Sequence, residues 1–483
     1  MQETSPILLW FRRDLRLSDH PALSAAAASG RPVIAVFLLD EVVERLGAAP
    51  KWRLGLGVEA FAARLAAMGT RLILRRGTAL DCLQALIRET GAGAVWWTRQ
   101  YDPDQRDRDT HVKASLKAMG IDARSFRGHL LFEPMDVATG QGKFYQVYTP
   151  FWRAVQGREV PARLPAPKGL RAPENWPASD RLESWQMGHA MRQGAEVVRP
   201  YLHIGEQAAA ARLETFMDSK IAAYARDRDR LDLDAGSGLS ENLTYGEISP
   251  LALWEAGQRG LEMGAAGAET FLKELVWREF AYHLVYHTPH ITQHSWRAGW
   301  EDFPWQGESA SAIRWKQGRT GLDVIDAAMR EMYVTGRMHN RARMLVGSYL
   351  TKHMLTDWRV GLKWVAECLI DWDPAANAMG WQWVAGSGPD AAPYFRIFNP
   401  ETQAQKFDPL RAYRKAWVAE LSSAPPETAV QFFSACPKSW QLSPDMGYPA
   451  PEMELAEGRN RALAAYQTYK TQADTAKTGT ACQ

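Results

Sequence analysis

The feature that most restricts this chain's fold is an alternation in its first hundred residues. Short apolar runs at 7–11, 33–38, 71–74 and 94–97 are separated by amphipathic stretches such as 52–68. Runs of that length are too short for buried helices and, alternating with helical periodicity, they predict βαβ units and a parallel sheet. The first run leads into Arg12-Arg13-Asp14-Leu15-Arg16 rather than GxGxxG. The glycine turn that lets a pyrophosphate approach the backbone is absent, so this half is not a standard NAD or FAD site.

The pattern weakens over 133–205, where Pro161, Pro165, Pro167, Pro173 and Pro177 break helical repeats. From 206 onward the period is helical, as in Leu322, Ile325, Met329 and Met332 after Thr320-Gly321. We therefore expect an α/β domain over 1–132, a wrapped linker over 133–205, a larger all-α domain over 206–475 and a polar, flexible tail over 476–483. A length of 483 residues suits two domains at about 100 to 200 residues each or somewhat more.

Composition excludes several classes. A net charge of +2 is too small to mark a nucleic-acid partner through the whole-molecule field, so any DNA surface must be local. Cys82, Cys368, Cys436 and Cys482 have no metal-like spacing, and neither a disulfide framework nor a metal site is expected. No leader or anchor is read at the N-terminus, and the cysteine usage fits a reducing cytosol. Twenty tryptophans are unusual, and taken singly each reads as packing.

The most informative segment is Asp371-Trp372-Asp373-Pro374-Ala375-Ala376-Asn377, then Trp381-Gln382-Trp383 and the stretch 390–400. Together with Leu9-Trp10-Phe11-Arg12-Arg13-Asp14-Leu15-Arg16, it resembles the signatures of the DNA photolyase and cryptochrome family, with similar segments from residue 7 to about 468. The resemblance implies a Rossmann-like N-terminal domain and an all-α FAD-binding domain. It implies light-driven repair of cyclobutane pyrimidine dimers, a carbon–carbon lyase reaction, in UV-damaged DNA by a monomer associated with the nucleoid when bound. A cryptochrome-like photoreceptor and a (6-4) photolyase are the alternatives.

The resemblance assigns roles by position. Tyr224 and Gly236-Ser237-Gly238-Leu239-Ser240 match cofactor contacts, the latter a phosphate-binding stretch whose backbone N–H groups can meet a pyrophosphate. The family usually has Thr and Arg where Gly236 and Gly238 stand. Arg343 and Asp371 match an ion pair beside the flavin ring, Asn377 the residue facing flavin N5, and Asp373 a contact to the sugar or ring edge. Arg278 and Asn340 complete the implied cofactor set. Trp381, Trp358 and Trp305 fall at the three positions of an electron-transfer relay from flavin to surface, and Tyr394, Tyr413 and Trp417 could branch from it.

Glu274 and Trp277 are three apart and share a helix face. By resemblance Trp277 and Trp383 wall a cleft for the flipped dimer while Glu274 hydrogen-bonds its base edge. Met338-His339-Asn340 followed by Met344, rather than paired histidines, favours the cyclobutane lesion. Arg226, Arg228, Arg341 and Lys406 are expected at a basic rim, with Gln403 near the lesion. Arg337 stands where many relatives have tryptophan. An antenna pigment is expected on Trp152, a folate (methenyltetrahydrofolate) or alternatively a deazaflavin, although Asp104 and Gln105 replace the Asn-Glu pair of one familiar folate site.

Overall fold

The computed structural model describes residues 4–191, 194–390 and 396–480. Five strands, β1 (Ile7–Phe11), β2 (Val33–Leu39), β3 (Leu72–Arg76), β4 (Ala94–Thr98) and β5 (Asp122–Phe126), form one parallel sheet in the order β3-β2-β1-β4-β5. Residues alternate faces along a strand, so Leu9, Phe11, Ala35 and Phe37 enter one core while Leu8, Trp10, Ile34 and Val36 enter the other. Both faces are covered, which is why β1 and β2 read as unbroken apolar runs. β5 (DARSF) had no such run: it is an edge strand with only Ala123 buried, and sequence pattern alone passes over it.

The strand order reverses between β1 and β4, the place where open α/β sheets normally seat ligands. Here Arg12 and Arg108 fill it. Arg12 pairs with Asp109 at 3.1 Å, Arg108 with Asp40 at 2.8 Å, and their guanidinium carbons lie 4.2 and 4.7 Å from the Trp10 ring centroid. Asp14 accepts from the Arg12 peptide N–H and pairs with His20 at 2.9 Å. Burial alone would raise its carboxyl, but the His20 hydrogen bond and the charges of His20 and Arg12 outweigh it and hold the group at about 2. The Arg-Arg-Asp-Leu-Arg run is thus the internal ionic filling of this edge.

By contacts the chain divides into two compact units: 4–191 with 203–225 and 236–287, and 194–202 with 226–235, 288–390 and 396–480. Helices Glu206–Ser219, Pro250–Glu262 and Ala268–His287 therefore group with the sheet. A buried ionic bond contributes to this: Arg53 of helix Ala48–Ala67 meets Glu241 at 2.5 Å and Glu247 at 2.7 Å, all three side chains fully enclosed. The segment 133–205 is mostly irregular, with short α-helices at Tyr148–Val155 and Gly194–Val198, and Tyr148, Phe151 and Val155 are buried. The second unit is helical, and the periodicity at 322–332 is realised as helix Asp323–Thr335. Its C-terminal helix, Leu455–Thr480, continues past residue 475.

Candidate functional site

In the helical unit the densest group of candidate residues sits on helix Pro374–Ala385. Its local sequence is a set of start and stop signals. Asp373 caps the N-terminus by accepting from Ala376 N at 2.8 Å, Pro374 occupies the first turn, and Gly386 at φ 89° ends the helix. Asn377 donates its amide to Asp373 O at 2.9 Å, and both residues are buried. Gln382, fully buried, donates to Ile291 O and His294 O at 2.7 and 2.9 Å and accepts from Trp296 N at 2.7 Å. Lys352 donates to Ala385 O at 2.6 Å, and burial pushes its ammonium well below the usual lysine range. Sequence reasoning missed both pins; a lysine and a glutamine carry no periodic signal of their own.

Arg343 brings one guanidinium nitrogen to both oxygens of Asp371, at 2.9 and 2.8 Å, and its Nε donates to Met338 O. The expected ion pair exists. The relay tryptophans share one core: Trp381 and Trp358 lie within it and half-buried Trp305 packs against it. The indole N–H groups of Trp358 and Trp305 are enclosed and meet no acceptor among the described residues. A buried donor without a partner is costly and calls for an explanation. The indoles of Trp10 and Trp364 share the feature, so it is not particular to the expected relay positions. Gly361 is a further missed residue, since a Cβ there would stand 2.2 Å from Cη2 of Trp381. Tyr413 donates to Glu331 at 2.6 Å and is buried, which is packing, and Tyr394 lies outside the described residues.

The rim residues differ in availability. Arg341 pairs with Asp229 at 2.5 Å over the Phe407 ring, and Arg226 pairs with Asp227 at 2.7 Å. Lys406 and Asn340 are exposed, while Arg228, Met344, Trp383 and Gln403 are half-buried. His339 caps helix Asn340–Ser348 by accepting from Arg341 N, and burial pushes its imidazole down to about 4.

Arg337 acquires an explanation here. Burial raises the Glu331 carboxyl to about 7, against the hydrogen bond from Tyr413 and the charges of Arg343 and Arg337. A carboxyl raised in the folded state binds more protons there than when unfolded, so its contribution to stability is full below its ordinary pKa and falls as pH rises through about 7. Arg337→Met removes one stabilising cation and extends that fall. We expect little change in melting temperature at pH 5, and a loss at pH 8 of about 1.4 kcal/mol for each unit of further pKa rise. Equal destabilisation at both values would separate Arg337 from Glu331.

In the sheet-containing unit, helix Ala268–His287 carries Glu274 and Trp277, both half-buried. Trp277 is backed by Tyr148, with ring centroids 3.6 Å apart and planes within 7°, and the Tyr148 hydroxyl donates to Lys273 O at 2.6 Å. Arg278 donates to His129 O and Glu279 Oε1, both at 3.1 Å. Tyr224 packs edge-on against Phe216 and Phe271. The turn Gly236-Ser237-Gly238 is half-buried, and among the described residues its three peptide N–H groups make no hydrogen bond. Trp152 is half-buried, with Lys273 Nζ 5.8 Å from its ring centroid.

Within the helical unit an arginine–aspartate pair and a buried amide suit a polar ring, and within the sheet-containing unit the 236–238 turn offers peptide donors of the kind that suit a phosphate. Residues 7–168 match the family described as DNA photolyase, and 271–468 match the FAD binding domain of DNA photolyase. A deoxyribodipyrimidine photo-lyase from Agrobacterium fabrum is 42% identical over 475 residues, covering 97% of this chain and 99% of the relative. The crystal structure of a bacterial class III photolyase from Agrobacterium tumefaciens superposes with a TM-score of 0.89 at 41% identity, covering 97% of this chain and 98% of that one. A Synechocystis cryptochrome structure superposes with a TM-score of 0.82 at 26% identity, covering 96% of this chain and 100% of that one. The molecule is a flavoprotein joining a parallel α/β sheet to a helical FAD-binding fold. It belongs to the DNA photolyase and cryptochrome family.

Among the described residues no helix is long and apolar enough to cross a membrane, and no group of His, Cys, Asp and Glu is placed to hold a metal ion.

Proposed function

We propose that this chain is a deoxyribodipyrimidine photo-lyase that reverses cyclobutane pyrimidine dimers in UV-damaged DNA under blue light. The observation that carries the reading is its 42% identity to such an enzyme across 97% of the chain. When bound, reduced FAD, oriented by Arg343, Asp371 and Asn377, would supply the light-driven one-electron chemistry that opens the dimer with no net redox change.

The protein's part is binding, orientation and exclusion of water. Arg343 and Asp371 form a fixed charge pair, which is poor at stabilising a fold but suited to orienting a charged cofactor. The Asn377 amide is held by Asp373, so its orientation is set before the cofactor arrives. Trp277 offers a flat apolar surface whose plane Tyr148 fixes, and Trp383 offers another. Such surfaces suit a lesion taken out of the base stack, where damage has already lowered the cost of unstacking. Glu274 reads the base edge. Trp381, Trp358 and Trp305 carry electrons inward when the cofactor arrives oxidised. Lys406 and Arg228 meet phosphates, so binding weakens with salt. A folate antenna on Trp152, or a deazaflavin in its place, belongs to the same reading, and Trp152→Ala should then lose the extractable pigment. We place the protein in the bacterial cytoplasm as a monomer, on the nucleoid when bound.

The test is repair of an oligonucleotide holding one cyclobutane thymine dimer, followed by recovery of thymine absorbance in light against a dark control. Glu274→Ala should lower repair on the order of 10- to 100-fold, the worth of a hydrogen bond to a charged group. Flavin reduction in light without repair of this lesion would remove the reading and make the (6-4) lesion the next substrate.

A further inference from the structure

Position 238 has no side chain, and something else occupies its space. Gly238 sits at φ +65°, and a Cβ built on it would stand 1.8 Å from Nη2, 2.7 Å from Cζ and 3.2 Å from Nε of Arg212. The guanidinium of helix Glu206–Ser219 therefore lies directly against the turn. The left-handed backbone favours glycine here, and while Arg212 holds this position its guanidinium leaves no room for a side chain.

The turn is shaped to face an anion. Gly238 is left-handed and Leu239, at φ −85° and ψ −2°, is right-handed. That succession turns consecutive peptide N–H groups toward one side and makes an anion-binding concavity. The N–H groups of Gly236, Ser237 and Gly238 make no hydrogen bond among the described residues, and Leu239 N reaches only Ser237 Oγ at 3.4 Å. Arg212 is 14% exposed and also reaches Glu241 at 3.5 Å. A planar fork of donors at such a turn suits bidentate phosphate recognition.

We propose that Arg212 supplies the side-chain cation for the pyrophosphate of FAD at the 236–240 turn, reaching in from a neighbouring helix because position 238 is glycine. The assignment rests on the reading of this chain as an FAD protein. It makes Arg212 a binding residue that distinguishes FAD from flavins without phosphate, and it explains the glycine at 238.

The experiment titrates full-length apoprotein with FAD and, separately, with riboflavin, which lacks the pyrophosphate. Arg212→Gln should weaken FAD binding on the order of 10- to 100-fold and leave riboflavin affinity unchanged. Arg212→Lys should retain part of the FAD affinity, and the double variant Arg212→Gln with Gly238→Arg should regain part by returning a cation to the turn. Should Arg212→Gln fail to fold, Gly238→Ala tests the same point by displacing the guanidinium. Equal weakening of FAD and riboflavin would mean a structural ion pair with Glu241 and overturn the assignment, as would no change in either. Wild-type protein that binds riboflavin and FAD equally would overturn it too, while wild-type protein that binds neither would overturn the functional reading together with it.

Discussion

Trp381→Phe should slow light-driven reduction of the flavin on the order of a hundredfold, about 2.7 kcal/mol in barrier, and leave dimer repair by chemically pre-reduced protein close to wild type. The two activities should separate because Trp381 lies in the core with Trp358 and Trp305, whereas the residues proposed to face the lesion are Trp277 and Trp383. Phenylalanine preserves most of the packing against Gly361 and Trp315 but is much harder to oxidise. Time-resolved absorbance after a flash measures the first activity, and thymine recovery the second. If both fall together, Trp381 holds the helix in place and the relay assignment fails. If photoreduction survives at the wild-type rate, electrons enter by another route.

Arg343→Ala should have the largest effect on the fold. Asp371 is 6% exposed, and removing its cation leaves a carboxylate enclosed without that compensation, a change that costs about 3 to 5 kcal/mol when a buried pair is broken. The Arg343 side chain is 29% exposed, so the lower end applies, about 3 kcal/mol. The variant should unfold at lower denaturant and retain little FAD through gel filtration. Arg343→Ala paired with Asp371→Asn should recover part of the stability and none of the cofactor, because the pair is there to orient rather than to stabilise. A single variant that loses less than about 1 kcal/mol and keeps its flavin would remove the pair from the site.

The βαβ half was legible because buried parallel strands leave unbroken apolar runs, and β5 was not because an edge strand leaves none. Helix Pro374–Ala385 has ordinary start and stop signals in Asp373, Pro374 and Gly386, but its segment was singled out by resemblance. The Arg343–Asp371 pair came from resemblance, as did the core placement of Trp381 and Trp358; nothing in the spacing of residues 28 apart fixes a contact. The supports were silent. Gln382, Lys352, Tyr148 and Gly361 act through tertiary contacts with segments distant in sequence, and each residue type is common enough to pass unnoticed. Arg337 was visible as a departure, but the half-buried Glu331 whose carboxyl it acts on is disclosed only by the fold.

Helix Pro374–Ala385 has a consequence for how this protein can evolve. Asn377 and Trp381 are four apart and point the same way, while Trp383 lies roughly 200° around the axis from Trp381. Asn377 and Trp381 thus share one side of the helix, and Trp383 occupies the other. Gln382 and the Lys352–Ala385 bond lock its rotation. Substitutions at 377, 381 and 383 should therefore be epistatic, since a tilt that relieves one site displaces the other two. Lineages that retune colour, electron supply or lesion choice would have to do so through residues facing this helix, leaving its phase untouched.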